Sequence, residues 1–206
     1  MNIGTIFILF LIKTKAMEMR TIQVLNGPDV WNNHTRKLIQ MRVDIGDFKS
    51  KLTNTIDGFS DRLKNLIPSL YSHTDSEGMA GGFFKSIDKG TSIAQVIAHI
   101  AIELQCLAGM QTESSKTVQT DTFGVYNVVF NSIDGDVGVF AALASVEIVE
   151  ALINAKPYFI RHDINRLKYL YQKNHSSVQT IKFAQSTPNF RVDKQEVKWT
   201  YVDRTA

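Results

Sequence analysis

Three polar side chains recur at steps of four residues in the most regular helical segment of the sequence. Gln95, His99 and Glu103 are spaced so that they project from one side of a helix. Zinc hydrolases place histidine and carboxylate side chains at this spacing, because the side chains then reach one ion from one helical face. In the H-x-x-E-H pattern, the glutamate polarises the metal-bound water and is the general base.

Here the metal pattern is incomplete. Aligned on H-x-x-E-H, the first ligand position is Gln95 and the position of the base is Ala98, which cannot move a proton. His99 and Glu103 remain as candidate metal ligands, although catalytic zinc needs three protein ligands. A hydrogen-bonded histidine and a salt-bridged glutamate are the alternative interpretations. We therefore predict no catalytic residue and no cofactor; if zinc is bound, His73 is the nearest third ligand in sequence.

A central helix is predicted over about residues 91–109, and it positions this polar stripe. Its apolar residues recur at steps of three and four and share one broad face: Ile93, Val96, Ile97, Ile100, Leu104 and Leu107. Thr91 or Ser92 can cap the start of the helix, and Gly109 can end it in a left-handed conformation. The apolar face indicates that this helix lies at the centre of the core.

Shorter patterns surround the central helix. Alternating apolar and polar residues predict strands over 21–25, 38–48 and 196–202. Many β-branched and aromatic residues predict a further strand over 124–130. Helical spacing predicts helices over 55–66, 137–153 and 164–171. Clustered turn residues predict a turn at 26–29 and a loop at 73–82. The expected fold class is α+β, a mixed two-layer arrangement in which a small, mainly antiparallel sheet packs against helices.

A few further residues are candidates for ligand binding. Gly81 and Gly82 could bring the backbone close to a ligand, or could form a flexible link before the apolar residues that follow. Trp31 and Tyr126 could stack on a ligand, or could pack in the core or at its rim.

Composition excludes several classes of function. The chain has 206 residues, and 23 basic minus 20 acidic residues give a net charge of +3, which does not indicate nucleic-acid binding. Cys106 is the single cysteine, so an internal disulfide is impossible and a reducing compartment is expected. We interpret Cys106 as a packed thiol, because it lies on the central helix.

The ends of the chain are expected to differ from its middle. Residues 1–16 are predicted to be a disordered extension or a mis-assigned start, because their apolar run is shorter than the roughly 20 residues that span a bilayer. A membrane anchor is the alternative. Residues 17–155 are predicted to form the main domain, and 156–206 a C-terminal helix and tail.

Several separated motifs closely resemble the N-terminal domain of cyanophycin synthetase. The longest is V-I-A-H-I-A-I-E-L-Q at 96–105. The other motifs, in chain order, are G-P at 27–28 with Trp31, P-S-L at 68–70 with His73, G-G-F-F at 81–84, G-T at 90–91, L-A-G-M at 107–110 and G-V-Y-N-V-V-F at 124–130. The similarity covers about residues 17–171, and the tail after it looks like the lead-in to the family's ATP-grasp domain.

The resemblance implies a function for this chain, and it also implies the loss of a hydrolase site that some family members carry. Cyanophycin synthetases use ATP to polymerise aspartate and arginine into a branched polypeptide. Their N-terminal domain is implicated in holding the polymer, and in some members it carries a zinc-dependent hydrolase site that cuts polymer into primers. The chain matches the pattern of that site at His99 and Glu103 and departs from it at Gln95 and Ala98. Ser115-Lys116-Thr117 also departs from the family's G-R-T-R, so the resemblance does not imply a contact with the polymer at these residues.

Three functional hypotheses follow from the resemblance. The first is a non-catalytic, cytoplasmic homologue that binds cyanophycin-like Asp/Arg polymer or a synthetase partner, with oligomers possible and no nucleic acid or membrane expected. The second is a residual zinc-dependent peptide hydrolase that uses His99, Glu103 and a further ligand such as His73. The third is a truncated remnant of a synthetase gene.

Overall fold

The computed structural model describes residues 6–8, 12–13, 17–28, 35–74, 78–112 and 114–185. The described strands are β1 (Ile6–Ile8), β2 (Ile12–Lys13), β3 (Glu18–Pro28), β4 (Thr35–Asp44), β5 (Ser115–Gln119) and β6 (Val125–Ser132). The described α-helices are α1 (Phe59–Leu66), α2 (Gly82–Lys89), α3 (Ile93–Leu107), α4 (Gly135–Ile153) and α5 (Ile160–Gln185). Short 3-10 turns lie at Gly46–Phe48, Thr53–Thr55 and Pro68–Ser72.

The described strands form one six-stranded antiparallel sheet with the order β1-β3-β4-β6-β5, and β2 also pairs with β3. The long β3–β4 hairpin sets its register. Ile22 lies opposite Met41 and Val24 opposite Ile39, so apolar side chains collect on one face. The predicted α+β class with an antiparallel sheet is confirmed.

Helices α3 and α4 pack on the face of the sheet that carries Ile39, Met41 and Val43, all of which are fully buried. The opposite face carries polar residues such as the exposed Arg42. Gly138 lets α4 lie close to the sheet, because a Cβ atom there would be 2.4 Å from Cγ1 of Ile39. The core therefore lies between the sheet and these two helices.

The turn predicted at 26–29 is wrong as far as the structure describes it, because β3 continues to Pro28. Gly27 pairs with Arg36 and Pro28 with Thr35. Pro28 is the last residue of the strand, where a missing N–H is tolerated. A Cβ atom on residue 27 would be 2.4 Å from the Leu38 side chain, so the glycine is needed for packing rather than for a turn.

Several predicted boundaries shift for backbone reasons. The strand predicted over 38–48 ends at Asp44, and a 3-10 turn follows at Gly46, whose φ is +49°. The helix predicted over 55–66 begins at Phe59, because Gly58 precedes it with a φ of +61°. The helix predicted over 164–171 begins earlier, at Ile160, and ends later, at Gln185.

Besides β1 and β2, two described elements were not predicted. Helix α2 begins inside the residues interpreted as a loop and a glycine link, and it buries Phe83, Phe84 and Ile87. Its eight residues are too few for a clear period. Strand β5 is mostly exposed and lacks an apolar alternation, so it shows no strand signal.

The chain ends are described only in part. Ile6–Ile8 and Ile12–Lys13 pair with β3. The strand predicted over 196–202 lies outside the described residues, and the division into an N-terminal extension, a main domain and a tail stays a prediction. In the described portion, none of the helices combines the length and apolar character needed to cross a membrane.

Candidate functional site

Helix α3 holds the polar stripe in place from the core side. Ser92 caps the helix, since its side chain accepts a hydrogen bond from the N–H of Gln95 at 3.3 Å. Gly109 follows the helix with a φ of +91°, as predicted for its left-handed end. The apolar face is buried along the whole length that carries the stripe, so His99 and Glu103 are fixed one turn apart on a rigid helix.

His73 joins these two side chains from the end of the 3-10 turn at Pro68–Ser72. Its Nε2 atom lies 2.8 Å from Oε2 of Glu103, and its Nδ1 atom lies 3.0 Å from Nδ1 of His99. When both imidazoles are neutral, His73 donates its Nε2–H to the carboxylate, so its Nδ1 accepts the Nδ1–H of His99. The three side chains form a carboxylate–imidazole–imidazole relay that can hold and orient a proton.

Phe83 of α2 fixes the orientation of the second imidazole. Its ring stacks on His99, with centroids 4.1 Å apart and planes inclined by 26°. Phe83 is itself buried. An aromatic neighbour on one face and a hydrogen bond at the ring edge leave His99 little rotational freedom.

Glu103 carries negative charge at neutral pH although it is only 4% exposed. Burial alone would raise the pKa of its carboxyl group. The hydrogen bonds from His73 and Ser69, together with the positive charge of His73 when its imidazole is protonated, outweigh burial, so the pKa of Glu103 lies below its usual value. The relay therefore ends in a stabilised carboxylate.

The relay lines an open cavity of about 850 Å³. The side chains that give it its chemistry are His73, His99, Glu103, Cys106, Thr112 and Ser115. A cavity of this size accommodates a ligand side chain or a short peptide. Its lining offers a carboxylate, imidazoles, hydroxyls and one thiol.

Cys106 is half-buried at this cavity, one helical turn beyond Glu103. Its Sγ atom lies 3.4 Å from the carbonyl oxygen of Thr112 and donates a weak hydrogen bond to it. The thiol packs between α3 and the segment leading to β5. It therefore also contributes to the lining of the site.

The two positions that depart from the H-x-x-E-H pattern are turned away from the cavity lining. The side-chain carbonyl of Gln95 accepts a hydrogen bond from the Thr91 hydroxyl at the start of α3. Ala98 is 1% exposed and belongs to the hydrophobic core. Neither residue is among those that line the cavity.

The types of these side chains match a zinc site, but their geometry does not. Two histidines and one glutamate are a known ligand set for zinc. Here, however, one nitrogen of His73 faces His99 and the other faces Glu103, so the donors are bonded to one another instead of converging on an ion. Across the residues that the structure describes, no cluster of three or more His, Cys, Asp or Glu side chains could hold a metal ion.

The candidate ligand-binding residues lie elsewhere or serve the fold. Gly81 has a φ of +82°, and a Cβ atom there would be 2.9 Å from the Tyr71 ring. Gly82 is the buried first residue of α2. Tyr126 is half-buried in β6, where its hydroxyl donates to the side-chain oxygen of Gln119 at 3.2 Å. Trp31 lies outside the described residues. Their proposed role in binding stays a prediction.

Sequence reasoning missed several residues of the site. Thr112 and Ser115 line the cavity and Phe83 stacks on His99, yet none of them stands at a diagnostic spacing. His73 belongs to a family motif, but only its proximity in sequence made it a candidate ligand. Their common property is position in the fold, because each reaches α3 from another element.

A family model described as the cyanophycin synthase-like N-terminal domain matches residues 40–154. The chain is 37% identical to the cyanophycin synthetase of Geminocystis herdmanii over 157 residues, which are 75% of this chain and 18% of that protein. It is 36% identical to the cyanophycin synthetase of Crocosphaera subtropica over 171 residues, 80% of this chain and 20% of that protein. The match thus spans about a fifth of the length of these relatives.

The matched region extends from β4 through α4, and so it includes α3, the relay and most of the cavity lining. The resemblance inferred from separate motifs is confirmed by this match. The chain belongs to the cyanophycin synthase-like N-terminal domain family.

Proposed function

We propose that this protein is a non-catalytic, cytoplasmic member of its family that binds the branched Asp/Arg polymer cyanophycin, or a peptide of the same chemistry. A cyanophycin synthetase is the alternative partner. The relatives named cyanophycin synthetase support the choice of polymer. The net charge of +3 gives no support to nucleic acid as a partner.

The observation that carries the proposal is the position of His73 between His99 and Glu103. Because each donor is hydrogen-bonded to another, the site is satisfied without an ion. Ala98 stands where the hydrolase pattern has its general base, and it cannot accept a proton. A binding role requires neither of these missing parts.

The cavity also supports recognition of a cationic side chain. Glu103 presents a carboxylate at its wall, and Ser115 and Thr112 add hydroxyl groups. A guanidinium group binds such a wall by charge-assisted hydrogen bonds, which are stronger than neutral ones. Arginine branches of the polymer carry this group.

Co-sedimentation with insoluble cyanophycin granules tests the proposal. We expect the purified protein to sediment with granules at low salt and to release no soluble peptide from them. Glu103→Gln should reduce retention. Glu147→Gln, the same change at an exposed position of α4, should leave it unchanged. A wild-type protein that stays in the supernatant at low salt would refute polymer binding.

A residual zinc-dependent peptide hydrolase is the second candidate, and one observation favours it: His73 does lie beside His99 and Glu103. Release of soluble peptides from granules by the purified protein would establish it. A remnant of a truncated synthetase gene is the third. A downstream reading frame that encodes ATP-grasp and ligase sequence would support that origin.

A further inference from the structure

Strand β5 is the terminal strand of the described sheet and pairs only with β6. The N–H of Asn131 donates to the carbonyl of Ser114, and the N–H of Thr120 donates to the carbonyl of Val125. In an antiparallel pair, residues alternate between those bonded to the partner strand and those whose backbone groups point away. The even-numbered residues of β5 are therefore the ones bonded to β6.

The odd-numbered residues of β5 direct their backbone groups to the free edge. These residues are Ser115, Thr117 and Gln119. In the described portion of the chain, their backbone N–H and C=O groups are not bonded to any strand on that side. The strand is exposed along almost its whole length. Such an edge can accept a further strand from an extended peptide.

The same residues face the cavity side of the sheet. Ser115 lies opposite Phe130 and Thr117 opposite Val128, and both partners are buried under the helices. Opposed residues of an antiparallel pair share a face. Ser115 accordingly lines the cavity that contains Glu103.

Lys116 lies on the other face, opposite Val129. Lys116 is exposed. A strand added to β5 would thus have alternate side chains over the cavity, near the Glu103 carboxylate, and the remaining side chains near the Lys116 ammonium group. Basic groups of the added strand would match the Glu103 carboxylate in the cavity, and acidic groups would match the Lys116 ammonium group on the other face.

We propose that the Asp/Arg polymer binds as an additional strand on the free edge of β5, with its backbone bonded to Ser115, Thr117 and Gln119 and alternate arginine branches directed into the cavity. This inference rests on the proposed function and adds the mode of binding. The paired backbone supplies affinity, and the cavity and Lys116 supply the preference for zwitterionic chains.

A second copy of the chain fits this edge less well. Its β5 would bring only hydroxyl and amide side chains to the cavity, because Ser115, Thr117 and Gln119 occupy that face. Glu103 would then meet no cation. The test nevertheless includes this outcome.

Binding of short synthetic branched Asp/Arg peptides, measured by calorimetry, tests the proposal with three ligands. One peptide is unmodified, one is N-methylated at alternate backbone positions, and one at every position. Alternate methylation leaves one edge of the peptide free, so its affinity should stay within about threefold of the unmodified peptide. Full methylation blocks both edges and should weaken binding at least about tenfold, the equivalent of one to three backbone hydrogen bonds.

Hydrogen exchange of the backbone amides of β5 tests the same proposal from the side of the protein. Adding the unmodified peptide should slow exchange at Ser115, Thr117 and Gln119 more than at Lys116 and Val118, whose amides already face β6. Thr117→Pro removes one outward N–H and should weaken binding by about three- to tenfold. Thermal unfolding checks that this variant is folded, and Lys116→Pro, which removes a bond to β6, should unfold more readily.

The outcomes separate the two proposals. Granule binding with equal affinity for all three peptides and no change in exchange at β5 overturns strand addition and leaves the proposed function standing. Failure to bind granules and peptides overturns both. Protection of the three outward amides without peptide, in a protein of dimer mass, assigns the edge to a second copy and also overturns strand addition.

Discussion

The Nδ1 atoms of His73 and His99 lie 3.0 Å apart, although the residues are separated by 26 positions in the sequence. The other ring nitrogen of His73 is bonded to Glu103 at 2.8 Å. Each ring nitrogen of His73 is thereby directed at one of the other two side chains. A site with the residue types of a zinc centre is held together by its own hydrogen bonds.

The hydrogen bonds of His73 to His99 and Glu103 predict a low zinc content. Protein purified in the presence of zinc and then transferred to metal-free buffer should contain far less than one zinc per chain, because binding would require breaking both contacts of His73. Elemental analysis measures it. His162→Ala, at an exposed histidine of α5, controls for surface binding. Stoichiometric zinc that is lost in His99→Ala or His73→Ala would instead support the hydrolase.

The stability contributed by Glu103 should depend on pH in one direction. Its folded pKa is lowered, so its contribution is complete above the unfolded value of about 4.3 and is lost as pH falls through the folded value. Urea unfolding of the wild type and of Glu103→Gln should therefore differ by a constant amount near neutral pH. The difference should shrink below about pH 4.3.

If the difference in unfolding free energy between the wild type and Glu103→Gln grew as the pH fell, it would contradict the lowered pKa of Glu103. Glu147→Gln is the contrasting control, because partial burial of the carboxyl group and the neighbouring Asp163 and Glu150 carboxylates raise the pKa of Glu147, although the residue as a whole is exposed. A raised pKa means that the ionised group opposes folding above its folded pKa. The wild type should therefore gain stability relative to this variant as the pH falls.

Restoring the hydrolase pattern should destabilise the fold. Ala98→Glu places a carboxylate in a position that is 1% exposed and lined by core residues, at a cost of about 3 kcal/mol or more. Gln95→His affects a half-buried position and should cost less than about 1 kcal/mol, the value of the lost Thr91 hydrogen bond. Urea unfolding measures both. A double variant as stable as the wild type that releases peptide from granules would show that the introduced carboxylate reaches the cavity after all.

Gly81 should prove necessary for the fold before helix α2. Gly81→Ala forces an alanine to a φ of +82° and brings its Cβ atom to 2.9 Å from the Tyr71 ring. We expect a loss of about 1–2 kcal/mol from the backbone conformation and only a small addition from the clash, because Tyr71 is 63% exposed and its ring can move aside. Gly78→Ala is the matched control, because its φ is +67° and no atom lies within 4 Å of the added Cβ. Equal losses in thermal unfolding would show that the Tyr71 contact is unimportant.

Much of the fold could be predicted from local patterns. The step of three and four residues placed α3 at the centre of the core, and Ser92 and Gly109 marked its ends, as the structure confirms. Alternation identified β4, β-branched and aromatic residues identified β6, and separate motifs identified the family. These features depend on residues within a few positions of one another, where the periods of helices and strands fix which side chains share a face.

The sequence by itself therefore determined the helix, the stripe of His99 and Glu103 upon it, and the departure from the H-x-x-E-H pattern at Gln95 and Ala98. Tertiary structure alone decided that His73 bonds to both, since Glu103 is 30 positions away from it. It also decided that Ala98 is buried and that β5 is the terminal strand of the described sheet, beside the cavity. Contacts between distant residues arise from how elements pack, and no local period records them.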